Sequence, residues 1–458
     1  MKHCCIALFP FLILTAQLSA KEATVEDYQK RVEAADLTNY PEKHKDLAAW
    51  CKRNFPGKFS LHEKAANEYQ FAKLEKSLSR QPMLSALLDI SKKAEALGLD
   101  AKAREYRERW GSTQFTAHEL TIKKDDPAQM KKLLAWAETE NISFIGPCQA
   151  LCRRIIAVEP DFQPARRTLG EFQFKGEWMD FATALSKINL KSPEERMTLH
   201  KALSAGATPA DPKAFPLDPF RGWTRSGNYW EAKTKTTGGT YLVWATGYNR
   251  SKPCPLVIDL HGGGEGKTAS REYAGIGMDM WGNNVRDGSY VVLAPVATKH
   301  VDDSWHQKGN FDEFMEALSE VRRKFNIDMT RIYLTGQSMG AGGTGAWMWY
   351  FPELAAAYCG RAGAYATYEN PKDILKKPVM IIHGEKDEDF RNRSRDLFIQ
   401  KTEAIGGVVK HISLPDAGHF IYARDIMPRM LPYFAGFQSE CAPDLRIIQA
   451  LADKYLKK

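Results

Sequence analysis

From Lys21 to about Ser204 apolar residues recur every three to four positions among Ala, Glu, Lys and Arg, as in ALLDISKKAEALGLDAKAREYRERWG. That period stacks them on one face of successive turns and predicts a helical N-terminal domain over 21–204. Within it LAAWC at 47–51 and LLAWA at 133–137 echo each other and set Trp50 and Trp136 86 residues apart. Each precedes another helix-like stretch, which predicts two degenerate helical hairpins whose tryptophans pack between helices.

SAGATPADPKAFPLDPF then interrupts any helical pattern with Pro and Ala, and 205–220 is expected to be an interdomain linker. Beyond it short β-branched runs (TYLVWAT, PLVIDL, SYVVLAP, RIYLTG, AYCGRAG, VMIIHG, VKHISLP) alternate with helical stretches such as DEFMEALSEVRRKF. The alternation predicts an α/β domain over 221–440, a mostly parallel sheet covered on both faces, closed by a C-terminal helix within 441–458. In such sheets ligands sit outside the carboxyl ends of the strands.

The first twenty residues pair Lys2 with an apolar stretch of about fourteen residues and end at Ala20, the pattern of a secretory signal peptide. The expected destination is secreted or periplasmic. Leu18 is bulky for the position three before that cut, and no later apolar run reaches the ~18 residues that span a bilayer. With Lys2 removed the formal charge falls from +8 to +7, without a basic stripe interleaved with aromatics, which argues against nucleic acid as a partner. Six cysteines follow the leader: Cys51, Cys148, Cys152, Cys254, Cys359 and Cys441. They are too scattered for a disulfide scaffold, and Cys148 and Cys152, four apart on a predicted helix, are expected to be small buried apolar residues.

GQSMG at 336–340 follows a predicted strand and precedes a predicted helix, the setting of a nucleophile elbow with Ser338 at its apex. HGGG at 261–264 follows PLVIDL, so backbone amides of Gly262, Gly263 and Gly264 are candidates for an oxyanion hole, completed by the amide of Met339. Asp387 ends VMIIHGEKD and His419 lies in LPDAGHF after the last strand, so serine, acid and base occur in chain order, 49 and 32 residues apart. Glu385, Glu388 and Asp389 are alternative acids. His383 precedes the acid and is read as supporting its loop, and His411 alternates with apolar residues in a strand. HVDDSWH at 300–306 matches no metal-ligand spacing and reads as a polar loop at the rim, with Trp305 a candidate wall of the substrate pocket.

These motifs together, from about Trp223 to Phe437, resemble an α/β-hydrolase domain. They are similar to those of secreted carboxylesterases grouped with feruloyl esterases and polyhydroxybutyrate depolymerases, and to the catalytic domain of prolyl oligopeptidase-type peptidases. Ala341 stands where the commoner form of the elbow has a further glycine. VEPDFQPARRTLGEFQFKGEWM, before the linker, resembles the end of a tetratricopeptide-like unit. The resemblance implies acyl transfer to Ser338 by a Ser-His-Asp triad, without metal or cofactor, on a small or polymer-linked ester such as an acylated polysaccharide. The helical domain is a candidate for contact with protein or polysaccharide. The rival readings are a serine peptidase, although the N-terminal segment lacks the pattern of a β-propeller, and a helical scaffold carrying a vestigial hydrolase. The short connection between AYCGRAG and VMIIHG leaves little room for a lid.

Overall fold

The computed structural model describes residues 25–35, 42–54, 61–78, 83–123, 126–205, 211–263, 269–285, 287–297, 304–363, 365, 377–404 and 406–456. The expected leader at 1–20 and part of the expected linker, 206–210, lie outside the described residues. The chain divides into two compact units. One comprises 1–129 and 135–148, the other 130–134 and 149–458. The division runs through the helices Pro127–Thr139 and Gly146–Val158, well before residue 204, where the composition shift pointed.

In the first unit the helices Leu61–Ser77, Leu84–Ala96 and Asp100–Glu119 pack through Phe71, Leu87, Ile90, Tyr106 and Phe115, all buried. Ser91 Oγ donates to Ala103 O at 2.8 Å, and Tyr106 donates to Glu75 at 2.8 Å. Trp50 and Trp136 are half-buried, Trp50 under the Arg31 guanidinium and Trp136 beside His118.

The second unit opens with helices and a short hairpin, β1 (Phe172–Phe174) and β2 (Glu177–Met179). The hairpin falls in a segment expected to be all helical. Lys175 and Gly176 both take positive φ, 52° and 84°, which is what a two-residue turn between right-twisted strands requires. A nine-stranded sheet follows: β3 (Thr224–Ser226), β4 (Tyr229–Lys233), β5 (Thr240–Trp244), β6 (Cys254–Leu260), β7 (Val291–Pro295), β8 (Ile327–Gln337), β9 (Ala357–Arg361), β10 (Val379–Gly384) and β11 (Val409–Leu414). Its order is β11-β10-β9-β8-β6-β7-β5-β4-β3. β6 to β11 run parallel and β3 to β5 pair antiparallel at one edge. From β4 onward this is the strand order of the α/β-hydrolase fold, with the exchange of β6 and β7 beside the central β8. β3 and β4 escape the sequence pattern because strands of three and five residues near the edge of the sheet, largely half-buried, show too little alternation.

Side chains of the central strands alternate between two cores. Leu256, Ile258, Leu260, Val291 and Leu293 face the helices Lys308–Lys324, Met339–Tyr350 and Leu445–Tyr455, and Val257, Val292 and Ala294 face Ala269–Asn284 and Ala423–Ala435. Phe174, Met179 and Leu199 join the first core, which explains why the segment after 149 belongs with the sheet. Arg196 seals that junction with a buried ion pair to Glu353 (2.9 Å) and a hydrogen bond to Leu190 O (2.6 Å). Of the six described cysteines all but Cys441 are buried.

Candidate active site

β8 ends at Gln337 and the helix Met339–Tyr350 begins at once, with Ser338 between them at φ 55° and ψ −117°. A non-glycine residue in that region costs on the order of 1–3 kcal/mol, held here by its surroundings. The Ser338 amide donates to Arg361 O of β9 at 2.9 Å. The flanking glycines make the turn possible. A Cβ on Gly336 would collide with Gly340 O, and one on Gly340 with Leu260 O of β6, so the elbow closes only against bare backbone. Ala341, where a further glycine is commoner, is fully buried and its helix is intact.

Ser338 Oγ lies 2.9 Å from His419 Nε2, and His419 Nδ1 lies 3.1 Å from Asp387 Oδ2. Nδ1 must donate to the carboxylate, which leaves Nε2 to accept the serine proton. The other oxygen of Asp387 accepts from the Glu388 amide at 2.8 Å and from Arg391 Nη1 at 3.2 Å. Burial opposes the charge on Asp387, but the His419 hydrogen bond and the Glu388 amide outweigh it and hold the carboxyl below its usual value. Two of the alternative acids are engaged elsewhere: Glu385 accepts from Ser413, and Glu388 pairs with Arg391 at 3.0 Å; Asp389 opens the helix Asp389–Ala404.

The loop after β6 approaches the elbow from the far side. A Cβ on Gly262 would stand 3.2 Å from Ser338 Cβ, and one on Gly263 2.9 Å from Met339 Sδ. His261 orients this loop. Its Nε2 accepts from the Ala297 amide at 3.0 Å, so the proton is on Nδ1, which donates to Gly262 O at 2.5 Å. Because the peptide is trans and planar, that bond turns the Gly263 N–H the opposite way. Met339 opens its helix, so its N–H has no partner within the helix. Gly264 lies outside the described residues, as does most of the connection before β10 that sets the expected lack of a lid.

Trp305 does not line the cleft. It is 1% exposed, donating to His261 O at 3.2 Å and receiving the Trp347 indole N–H on its own carbonyl at 2.7 Å, with Gly343 leaving room for its ring. It therefore braces the loop after β6 from behind. His411 is exposed on β11, and residues 300–303 of the polar loop are outside the described residues.

Ser338, His419, Gly262 and Gly263 open into a cleft of about 560 Å³ whose other walls include Tyr273, Ile276, Asp279, Arg391, Phe420 and Tyr422. Ile276, Phe420 and Tyr422 are 64%, 77% and 67% exposed. Beneath the cleft the buried pair Arg361–Asp259 (2.5 Å) is completed by the Trp281 indole, which donates to Asp259 at 2.6 Å. Arg361, Asp259 and Arg391 were not singled out from the sequence, where nothing local marks them; Asp259 as a lone acid inside PLVIDL was the one available signal.

His383 and His200 are fully buried, and burial lowers both to about 4. Their rings are neutral in the fold and bind a proton once unfolded below about pH 6.5, so their contribution is present above that pH and is lost as pH falls toward 4. The unfolding free energy of the second unit is expected to drop over that window by up to about 3 kcal/mol for each histidine, lowering its urea midpoint, with a smaller drop in a His383→Gln variant. A midpoint flat from pH 7 to 4.5 would contradict this. Among the described residues there is no cluster of metal-ligating side chains and no helix long and apolar enough to cross a membrane.

Comparison with protein-family models and with curated proteins gives no match. Among solved structures, a thermostable esterase is 22% identical over 48% of this chain and 64% of its own, with a TM-score of 0.38. The feruloyl esterase module from Clostridium thermocellum complexed with sinapinate is 18% identical over 50% of this chain and 93% of its own, TM-score 0.36. A protein assigned as dipeptidyl aminopeptidase IV from Bacteroides ovatus is 16% identical over 45% and 35%, TM-score 0.38. This chain thus spans less than two thirds of the first and about a third of the last, and these likenesses assign no residue.

Proposed function

We propose that this chain is an exported serine hydrolase of carboxylic esters, with Ser338 as nucleophile, His419 as general base and acid, and Asp387 as the group that orients the imidazole. The observation that carries the reading is the continuous line Ser338 Oγ, His419 Nε2, His419 Nδ1, Asp387 Oδ2 at 2.9 and 3.1 Å. His419 takes the hydroxyl proton as Oγ attacks the carbonyl, and the proton leaves with the alcohol. Water then attacks the acyl-enzyme by the same route in reverse, and the acid is released. The amides of Gly263 and Met339 are suited to the oxyanion, each such donor being worth about 3–4 kcal/mol in comparable sites. Export rests on the first twenty residues. The exposed apolar rim of Ile276, Phe420 and Tyr422 favours bulky esters, acylated polysaccharide among them, over the smallest acyl groups.

An organophosphorus reagent should add a single adduct at Ser338, mapped by mass spectrometry, and the labelled protein should lose hydrolysis of nitrophenyl esters. Turnover of proline-containing peptides with none of esters would replace the esterase reading with the peptidase one. Absence of labelling together with absence of turnover would leave the scaffold reading.

A further inference from the structure

The carboxylate of Asp387 has a fourth neighbour that the relay to Ser338 does not include. His383, at the end of β10 and 0% exposed, places Nε2 3.4 Å from Asp387 Oδ2, the same oxygen that receives His419 Nδ1. Neither ring nitrogen of His383 has a well-aligned hydrogen-bond partner. A bare lone pair this close to a carboxylate oxygen would be repulsive even out of line, so the proton sits on Nε2 and the ring is neutral. Charged and titratable groups around it are Arg395, Asp387, His411 and His419. Arg391 and the Glu388 amide hold the opposite oxygen, so Oδ2 is the side on which Asp387 is left to two imidazoles.

We propose that His383 is a positioning residue for the relay: its imidazole, packed against Oδ2 at 3.4 Å, restricts the rotamer of Asp387, and its Nε2–H dipole draws charge from Oδ2, tempering how strongly that oxygen stabilises protonated His419. This rests on the triad reading above. The 3.4 Å separation makes the contact longer than an ordinary hydrogen bond and its influence graded. Removing the donor leaves Oδ2 more negative, which favours protonated His419, so the acid limb of the pH profile of kcat/KM moves upward.

The test compares His383→Phe and His383→Gln in the full chain, with active sites counted by organophosphorus labelling of Ser338 so that misfolded protein drops out. Per labelled site, His383→Phe is expected to lose about tenfold in kcat with KM within about twofold, and to shift the acid limb upward by a few tenths of a pH unit. His383→Gln, which keeps an N–H donor, should recover most of the rate and the original limb. Wild-type kcat and an unmoved limb per labelled site in His383→Phe would overturn the proposal and leave His383 as packing. Failure of the wild type to label would instead remove the triad reading beneath it.

Discussion

Replacement of Ser338 by alanine is expected to lower kcat for nitrophenyl esters by about a million-fold, down to what the cleft and the backbone amides alone provide, with KM little changed. The size follows from the triad acting as a unit. Without Oγ there is no nucleophile, and His419, still oriented by Asp387, has nothing to deprotonate. The fold should hardly respond. Alanine keeps the Cβ, and the Ser338 amide still donates to Arg361 O. The backbone strain at φ 55° is carried by either residue. Thermal unfolding within a few degrees of wild type, with ester turnover gone, is the expected pair of results. Residual activity above about one per cent would mean that another group does the chemistry. His419→Ala should lose nearly as much, and combining the two should add little, because the losses are not additive within such a unit.

The largest stability effect is expected at Arg361. Its side chain and that of Asp259 are 3% and 4% exposed, and their ion pair lies between β9 and β6 with the Trp281 indole as its third member. Arg361→Met removes the counter-charge and leaves a buried carboxylate with one neutral donor, a defect that costs about 3–5 kcal/mol. Because the same residue's carbonyl receives the Ser338 amide, and its Nε points at Gly336 O at 3.4 Å, the loss should appear first at the elbow. The chain has two units, so its unfolding need not be two-state, and the fitting observable is the urea dependence of Ser338 labelling. The double variant Asp259→Leu with Arg361→Met should recover much of the loss, since removing both charges leaves no unpaired ion. A single-variant shift under 1 kcal/mol would refute the account.

What could be read along the chain were the features whose cause is local. A serine between glycines after a β-branched run is legible because backbone crowding at Gly336 and Gly340 admits no side chain, whatever the rest of the molecule does. Ser338, Asp387 and His419 come in order after β8, β10 and β11 because parallel strands deliver their carboxyl ends to one edge. Helical period and β alternation likewise survive in short windows, which is why the central strands and the C-terminal helix were predictable. The linker composition near 205–220 marked a break in pattern, while the compact units divide near 130–149.

Tertiary structure decided everything that depends on partners far apart in the chain. Asp387 was one of four nearby acids by sequence, and only the end of β10, packed against the loop that carries His419, selects it. Asp259 and Arg361 meet across 102 residues because β8 brings β6 and β9 to its two sides. Trp305, placed by composition at a polar rim, is buried because Gly343 and His261 O receive it. A side chain's neighbours within a turn or a pleat are set by its own short stretch of chain, whereas its neighbours across strands are set by the order of the sheet, and that order appears nowhere in the local pattern.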